Sequence, residues 1–217
     1  MAGTPSSIFR ILVVCAGNQC RSPAVERMLG GLLVTGRESR FELDSAGISG
    51  PEGRPIHPLT ARCLSRRGIP VEGHASRLLT PQAVLRADLI LVAERVQRAR
   101  VAALDDAAVS RTFTIREFAR LASGAVRAGA TSPTDLVAAV AALRGRIRAA
   151  DPAGDDLHDP VLGRSDDHEA IVASLQQATL TIAESIQFVD AATRHQGVGG
   201  VASRRAWGLR STGPEGP

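Results

Sequence analysis

The sequence predicts an α/β domain of three layers, with helices on both faces of a central four-stranded parallel sheet and a phosphate-binding loop after the first strand. Three observations carry this. Short β-branched apolar runs alternate with helical patterns along the chain. The first such run, Phe9 to Val14, passes directly into a loop and then a proline-opened helix. The length of 217 residues, with 44% hydrophobic and 22% charged residues, suits one globular domain with a sizeable core. The domain is expected over residues 8–194, and the Gly-rich, polar segment 195–217 is expected to be a disordered tail.

Taken in order, Phe9 to Val14 reads as a buried strand, and Pro23 opens a helix that runs to about Leu33 with Gly36 beyond it. Phe41 to Ser45 is a second strand. Pro58 to Arg67 is a helix stopped by Gly68, and Thr80-Pro81 caps another that ends near Ala87. Asp88 to Ala93 is the third strand and Arg111 to Thr114 the fourth, followed by a capping-box pattern of Thr114 and Glu117. Ser132 caps a helix with Leu136, Val140, Leu143 and Ile147 on one side. A long last helix begins around Asp166 to Glu169 and turns Ile171, Leu175, Ile182, Ile186 and Val189 toward the core.

Composition removes several function classes. All 26 basic residues are Arg and Tyr is absent. Without Lys there is no Walker-type phosphate loop, no Schiff-base chemistry and no lysine general base. The net charge of only +4 and the 3% of aromatic residues give no platform for stacked bases, so no nucleic-acid partner is expected. No apolar run approaches the ~20 residues of a membrane helix, and the run Ile11 to Ala16 is too short for a signal-peptide core. The expectation is a cytoplasmic protein with reduced thiols and no membrane partner.

The chemistry is expected between the first strand and the first helix, over Cys15-Ala16-Gly17-Asn18-Gln19-Cys20-Arg21-Ser22-Pro23. A loop beyond the carboxyl end of a parallel strand is where α/β sheets bind ligands, and a helix N-terminus there presents free N–H groups to an anion. Gly17 and Asn18 tolerate left-handed backbone angles, so amides from Ala16 to Ser22 can curl around phosphate oxygens as a nest. Arg21 can add two parallel N–H bonds. The same amides, helix end and Arg favour the thiolate of Cys15, the nucleophilic form, and Ser22 can donate to the sulfur. Cys15 and Cys20 are also close enough in sequence to form a protective disulfide.

With three Cys and 26 Arg in 217 residues, a Cys with Arg six positions later arises by chance about 0.4 times, so the spacing is informative only in its context. That context is specific: a strand before, Gly-Asn inside, and Ser-Pro opening a helix after. The stretch Val14 to Pro23 resembles the signature of the low-molecular-weight protein tyrosine phosphatase family. Asp44-Ser45-Ala46-Gly47, Arg66-Arg67-Gly68-Ile69-Pro70, His74-Ala75-Ser76-Arg77, and Asp159-Pro160 followed by Gly163 recur in the same order there. The likeness spans roughly Ile8 to Val189, and is poor over Ser123 to Ala150 and in the tail.

The resemblance implies a phosphatase that hydrolyses phosphate monoesters, protein phosphotyrosine first among them, through a cysteinyl-phosphate. Cys15 takes the phosphoryl group, Arg21 binds it, and Asp159 protonates the leaving oxygen and then activates water. By the same resemblance Asn18, Ser22, Ser45 and His74 brace the loop. No cofactor and no metal are required. The residues themselves ask for one carboxyl serving as acid and then base. Asp159, held extended by Pro160, is the first candidate, with Asp155 and Asp156 as rivals. The acidic, His-bearing stretch Asp155 to His168 fits no familiar metal-ligand spacing and reads as a solvated loop. Cys63, within a helical pattern, reads as structural.

The substrate is less defined than the reaction. Val161 and Leu162 stand where family members acting on phosphotyrosine often carry aromatics, and Gln19 is neither apolar, as in those members, nor Thr, as in phosphoarginine phosphatases. A phosphorylated protein and a small phosphate ester both remain partners. A thioredoxin-coupled arsenate reductase shares this fold and loop but relays oxidation to further cysteines, and here only Cys63 lies beyond the loop. A non-catalytic phosphate-binding module would not need an acidic thiol and a carboxyl together.

Overall fold

The structure, a computed structural model, describes residues 8–34, 36, 39–147 and 151–199. Four parallel strands, β1 (Phe9–Cys15), β2 (Phe41–Gly47), β3 (Leu89–Val92) and β4 (Thr112–Thr114), form one sheet in the order β2-β1-β3-β4. Cys15 stands opposite Gly47, and Val14 stands between Ala46 and Val92, so the carboxyl ends of the three strands lie side by side.

The period of two along each strand divides the core between the faces. Phe9, Ile11, Val13, Cys15, Leu89 and Leu91 join the larger apolar cluster. That cluster is built with α1 (Arg21–Leu33), α2 (Pro58–Ser65), α5 (Ile115–Arg127), α6 (Pro133–Arg144) and α7 (Ser165–Gly199). Leu12, Val14, Ile90 and Val92 point the other way, toward α3 (Pro81–Arg86) and α4 (Arg95–Ala102). Each buried aliphatic side chain is worth about 1.5–3 kcal/mol relative to exposure, so a one-residue slip of β1 would reverse every one of them and is strongly disfavoured. Helix starts follow the expected chemistry: Thr80, Thr114 and Ser132 accept from Ala83, Glu117 and Asp135 N–H groups at 3.2, 3.1 and 3.1 Å, each cap stabilising by about 1 kcal/mol.

Several details differ from the sequence reading. Helix α1 begins at Arg21, two residues before Pro23, because the loop itself winds into the first turn. Glu117 makes no reciprocal bond back to Thr114; it turns instead to Arg98 and Arg144. Helix α6 ends at Arg144, leaving Leu143 partly buried and Ile147 exposed rather than on the core face. Helix α4 and two 3-10 turns, Asp106–Arg111 and Pro152–Asp155, were not expected. Helix α7 continues past the expected tail start to Gly199, and residues 200–217 lie outside the described residues. Among the described residues, no helix is long and apolar enough to cross a membrane.

Candidate active site

Going from β1 to β2 the chain moves to one side of β1, and β3 lies on the other, so the loop after β1 occupies the sheet's switch point. The loop is shaped from below by β2. A Cβ on Gly47 would sit 2.7 Å from the Ala16 carbonyl oxygen and 3.0 Å from Asn18 N and Gly17 C. Only a glycine lets β2 approach this loop, and Gly47→Ala must push its backbone aside. A displacement of ~1 Å in a positioning loop costs on the order of 100-fold. We expect kcat/KM for an aryl phosphate to fall by about that factor in Gly47→Ala, measured beside Gly30→Ala. A Cβ on Gly30, in α1, would meet nothing within 4 Å, and that substitution should leave the rate unchanged.

Asn18 holds the loop closed. Its φ of 54° is the left-handed region, the one such non-glycine among the described residues, and Asn enters that region more readily than most side chains. Its Oδ1 accepts from Arg77 N at 2.9 Å, and its Nδ2 donates to Ser22 Oγ at 3.0 Å and Ser45 Oγ at 2.8 Å. His74 Nε2 donates to the Asn18 carbonyl at 2.8 Å. Ser45 Oγ–H donates in turn to the Glu26 carboxylate. Ser22 Oγ already accepts from Asn18, so its proton is left to donate to Cys15 Sγ, 3.0 Å away, or to the Ala46 carbonyl at 3.4 Å. Each such bond stabilises by about 1 kcal/mol net, and all but His74 and Glu26 come from side chains that are fully buried or backbone groups.

Cys15 lies 2% exposed at the base of a cleft of about 220 Å³, lined by Gly17, Gln19, Cys20, Gly50, Asp159 and Val161 among others. A larger hollow of about 360 Å³ beside β2 and α3 contains no Cys. Around Cys15 the N–H groups of Gly17, Asn18, Gln19 and Cys20 have no backbone acceptor among the described residues, so four successive donors are free to meet an anion.

Arg21 is 1% exposed, and a buried cation needs partners. Its guanidinium donates to Glu94, to the Leu157 carbonyl at 2.7 Å and to Asp159 Oδ2 at 2.5 Å, while its buried Nε has no partner. Asp159 also accepts from Val161 N at 3.2 Å. Asp155 pairs with Arg120 and Asp156 with Arg95, both at 2.9 Å, and neither lines the cleft, whereas Asp159 does. Cys15, Cys20 and Cys63 are free thiols. Burial pushes the Cys20 thiol up to about 11, so it stays protonated at neutral pH.

The sequence reading thus has Cys15, Asn18, Arg21, Ser22, Ser45, His74 and Asp159 converging on one loop. It missed Glu26, Arg77, Glu94 and the Leu157 carbonyl. Glu94 and Gln97, which exchange bonds at the start of α4, form a capping box whose pattern was available in the sequence. One group with metal-ligand character, Cys20 with His57 and His168, lies beside the loop among the described residues.

Comparison with known proteins agrees with this geometry. The family model described as low molecular weight phosphotyrosine protein phosphatase matches residues 10–135, a stretch that holds the loop and stops short of Asp159. "Probable low molecular weight protein-tyrosine-phosphatase EpsP" of Ralstonia nicotianae is 35% identical over 110 residues, covering 51% of this chain and 72% of the relative. "Low molecular weight protein-tyrosine-phosphatase Etp" of Escherichia coli is 39% identical over 94 residues, covering 43% and 60%. In fold, the tyrosine phosphatase AmsI of Erwinia amylovora superposes with a TM-score of 0.62 at 22% identity, over 83% of this chain and 95% of its own. The YwlE arginine phosphatase of Geobacillus stearothermophilus does so equally, with a TM-score of 0.62 at 23% identity, over 83% and 94%. A cysteine-bearing loop at a sheet switch point, in a chain matched over more than half its length, places this protein in the low molecular weight phosphotyrosine protein phosphatase family, and it is a phosphatase.

Proposed function

We propose that the chain hydrolyses aryl phosphate monoesters, with protein phosphotyrosine as the substrate class, through a phosphocysteine at Cys15. The observation that carries this is the anion cradle over Cys15: four free loop N–H groups and a buried Arg21 Nε with no partner, all satisfied at once by a phosphate dianion. The substrate displaces Asp159 from Arg21 by competing for its N–H groups, and Asp159 takes a proton from solvent. In the first step Cys15 Sγ bonds to phosphorus, the ester P–O bond breaks, and Asp159 gives its proton to the departing phenol oxygen. In the second, water attacks phosphorus while Asp159 takes its proton, and the S–P bond breaks with Ser22 Oγ–H donating to the sulfur. Inorganic phosphate leaves and the thiolate is restored.

Depth and wall chemistry support tyrosine. A nucleophile at the base of the cleft is reached by a long, flat ester more readily than by phosphoserine's short stem. Val161, which lines the cleft and is 38% exposed, offers apolar surface for the ring. A phosphoarginine would bring a cationic guanidinium, and the one carboxylate lining the cleft among the described residues, Asp159, is neutral once the bound substrate has displaced it from Arg21 and it has taken its proton. Gln19 at the wall is compatible with a peptide backbone as partner. The test is kcat/KM over a panel of phosphotyrosine, phosphoserine and phosphoarginine peptides without metal. Phosphotyrosine is expected to lead by at least about tenfold, and a lead for phosphoarginine would overturn the substrate assignment while leaving the cysteine mechanism in place.

A further inference from the structure

The loop's second cysteine points to a function separate from phosphate chemistry. Cys20 is the N-cap residue of α1 and is 4% exposed. His57 is the N-cap residue of α2, tied to the loop by its N–H to the Gln19 carbonyl at 2.8 Å. His168 comes from the first turn of α7 and is fully buried. These three residues, far apart in sequence, each bring a ligand atom within 4.8 Å of the other two. The reading of Asp155 to His168 as a solvated stretch is corrected at both ends, because Asp155 and Leu157 are buried and α7 carries His168 into the interior beside α2.

We propose that Cys20, His57 and His168 form a binding site for a thiophilic divalent cation of the zinc type. His168 carries the argument beyond proximity. Its Nδ1 lies 2.8 Å from Thr60 Oγ1, and its Nε2 is buried with no partner. With Nδ1–H donated to Thr60, Nε2 keeps a free lone pair, the arrangement that ligating histidines take when a neighbour fixes the other nitrogen. A buried polar atom without a partner is costly, and a cation relieves it. His57 is the adjustable ligand. It stacks on His168 with ring centroids 4.6 Å apart and planes at 13°, it is half-buried, and its one side-chain bond, which Nδ1 accepts from Leu59 N, is long at 3.4 Å. A turn of its ring and a contraction to the ~3.5 Å edges of a tetrahedral zinc ion complete three ligands, with water as the fourth. Sulfur and imidazole donors select zinc or cobalt over magnesium or calcium. On binding, the S–H bond of Cys20 breaks, the sulfur bonds to the metal, and one proton passes to solvent. The ion would pin the residue before Arg21 to the helices behind the loop, which makes it an effector of the loop and not a participant in hydrolysis.

The test is a Co²⁺ titration of the full reduced chain carrying Cys15→Ser, which removes the nucleophile's own sulfur as a competing ligand. A sulfur-to-cobalt charge-transfer band with tetrahedral visible bands, saturating at one equivalent, is expected, and Zn²⁺ but not Mg²⁺ should bleach it. Adding Cys20→Ala should abolish the charge-transfer band. Adding His57→Asn, or His168→Phe where that variant stays folded by circular dichroism, should weaken Co²⁺ at least ~10-fold. Absence of the band in Cys15→Ser protein, or a band that survives Cys20→Ala, would overturn the proposal.

Discussion

Cys15→Ser protein is expected to lose about 10⁴-fold or more in kcat for p-nitrophenyl phosphate, measured in the presence of chelator, while staying folded. The size of the loss follows from what surrounds the sulfur. Serine fits the same space, but its hydroxyl must be deprotonated to attack, and the one side chain bonded to Cys15 is Ser22, a hydroxyl that cannot serve as a base at neutral pH. No imidazole or carboxylate bonds to Cys15 among the described residues, so nothing is placed to activate a serine as a His does in a triad. Thiol chemistry needs no such base because the thiolate forms far more easily than an alkoxide. The cradle itself is untouched, so inorganic phosphate should bind the variant within a few-fold of the wild type. Retention of more than a tenth of the wild-type rate would remove Cys15 as nucleophile. Loss of phosphate binding together with rate would mean the substitution had collapsed the loop.

This loop was legible in the sequence because its parts are contiguous. A buried strand, a Gly-Asn pair and Ser-Pro at a helix start sit within ten residues, and each enforces local geometry: Asn18 does adopt the left-handed backbone that the pattern required. The fold class was legible for a similar reason, since β1 and β3 are short apolar runs set among helical patterns. What was not legible is held by distance. Arg21 finds Glu94 and Leu157 across 73 and 136 residues, and no local pattern marks a carboxylate as the partner of a distant Arg. Helix α4 was missed because its sequence, Arg95 to Ala102, is mostly Arg and small residues and buries only Gln97 and Val101. Its stability comes from packing and from the Glu94–Gln97 box, which a scan for Ser, Thr, Asp or Asn caps passes over. Ile147 was placed on the core face by extending a period past Gly145, where the helix had already ended. His168 failed in the opposite sense: its acidic neighbours read as solvated, yet the helix phase turns that one ring inward.

Asp159→Asn separates two roles that one carboxyl is asked to fill. As a general acid it should contribute about 10²–10⁴-fold, and that contribution should grow with the basicity of the leaving oxygen. Phenyl phosphate, whose leaving group needs a proton, is expected to lose near the upper end of that range, and p-nitrophenyl phosphate, whose phenolate departs unaided, much less in the first step. The second step differs. Water attack on the phosphocysteine lacks its base in the variant whatever the first leaving group was, so p-nitrophenyl phosphate should show a burst of nitrophenol followed by a slow steady state, the sign of accumulated phosphoenzyme. Asn keeps one oxygen, able to accept from Arg21 where Asp159 Oδ2 now accepts at 2.5 Å, while the bond that Val161 N gives to Oδ1 at 3.2 Å is lost to the amide NH2. The arginine therefore stays placed, although its buried charge is less well balanced. That gives the opposing outcome a clear form. An equal loss for both esters without a burst would mean that Asp159 acts only by holding Arg21 in position, and the acid would then have to come from Glu94, the other carboxylate on the same guanidinium.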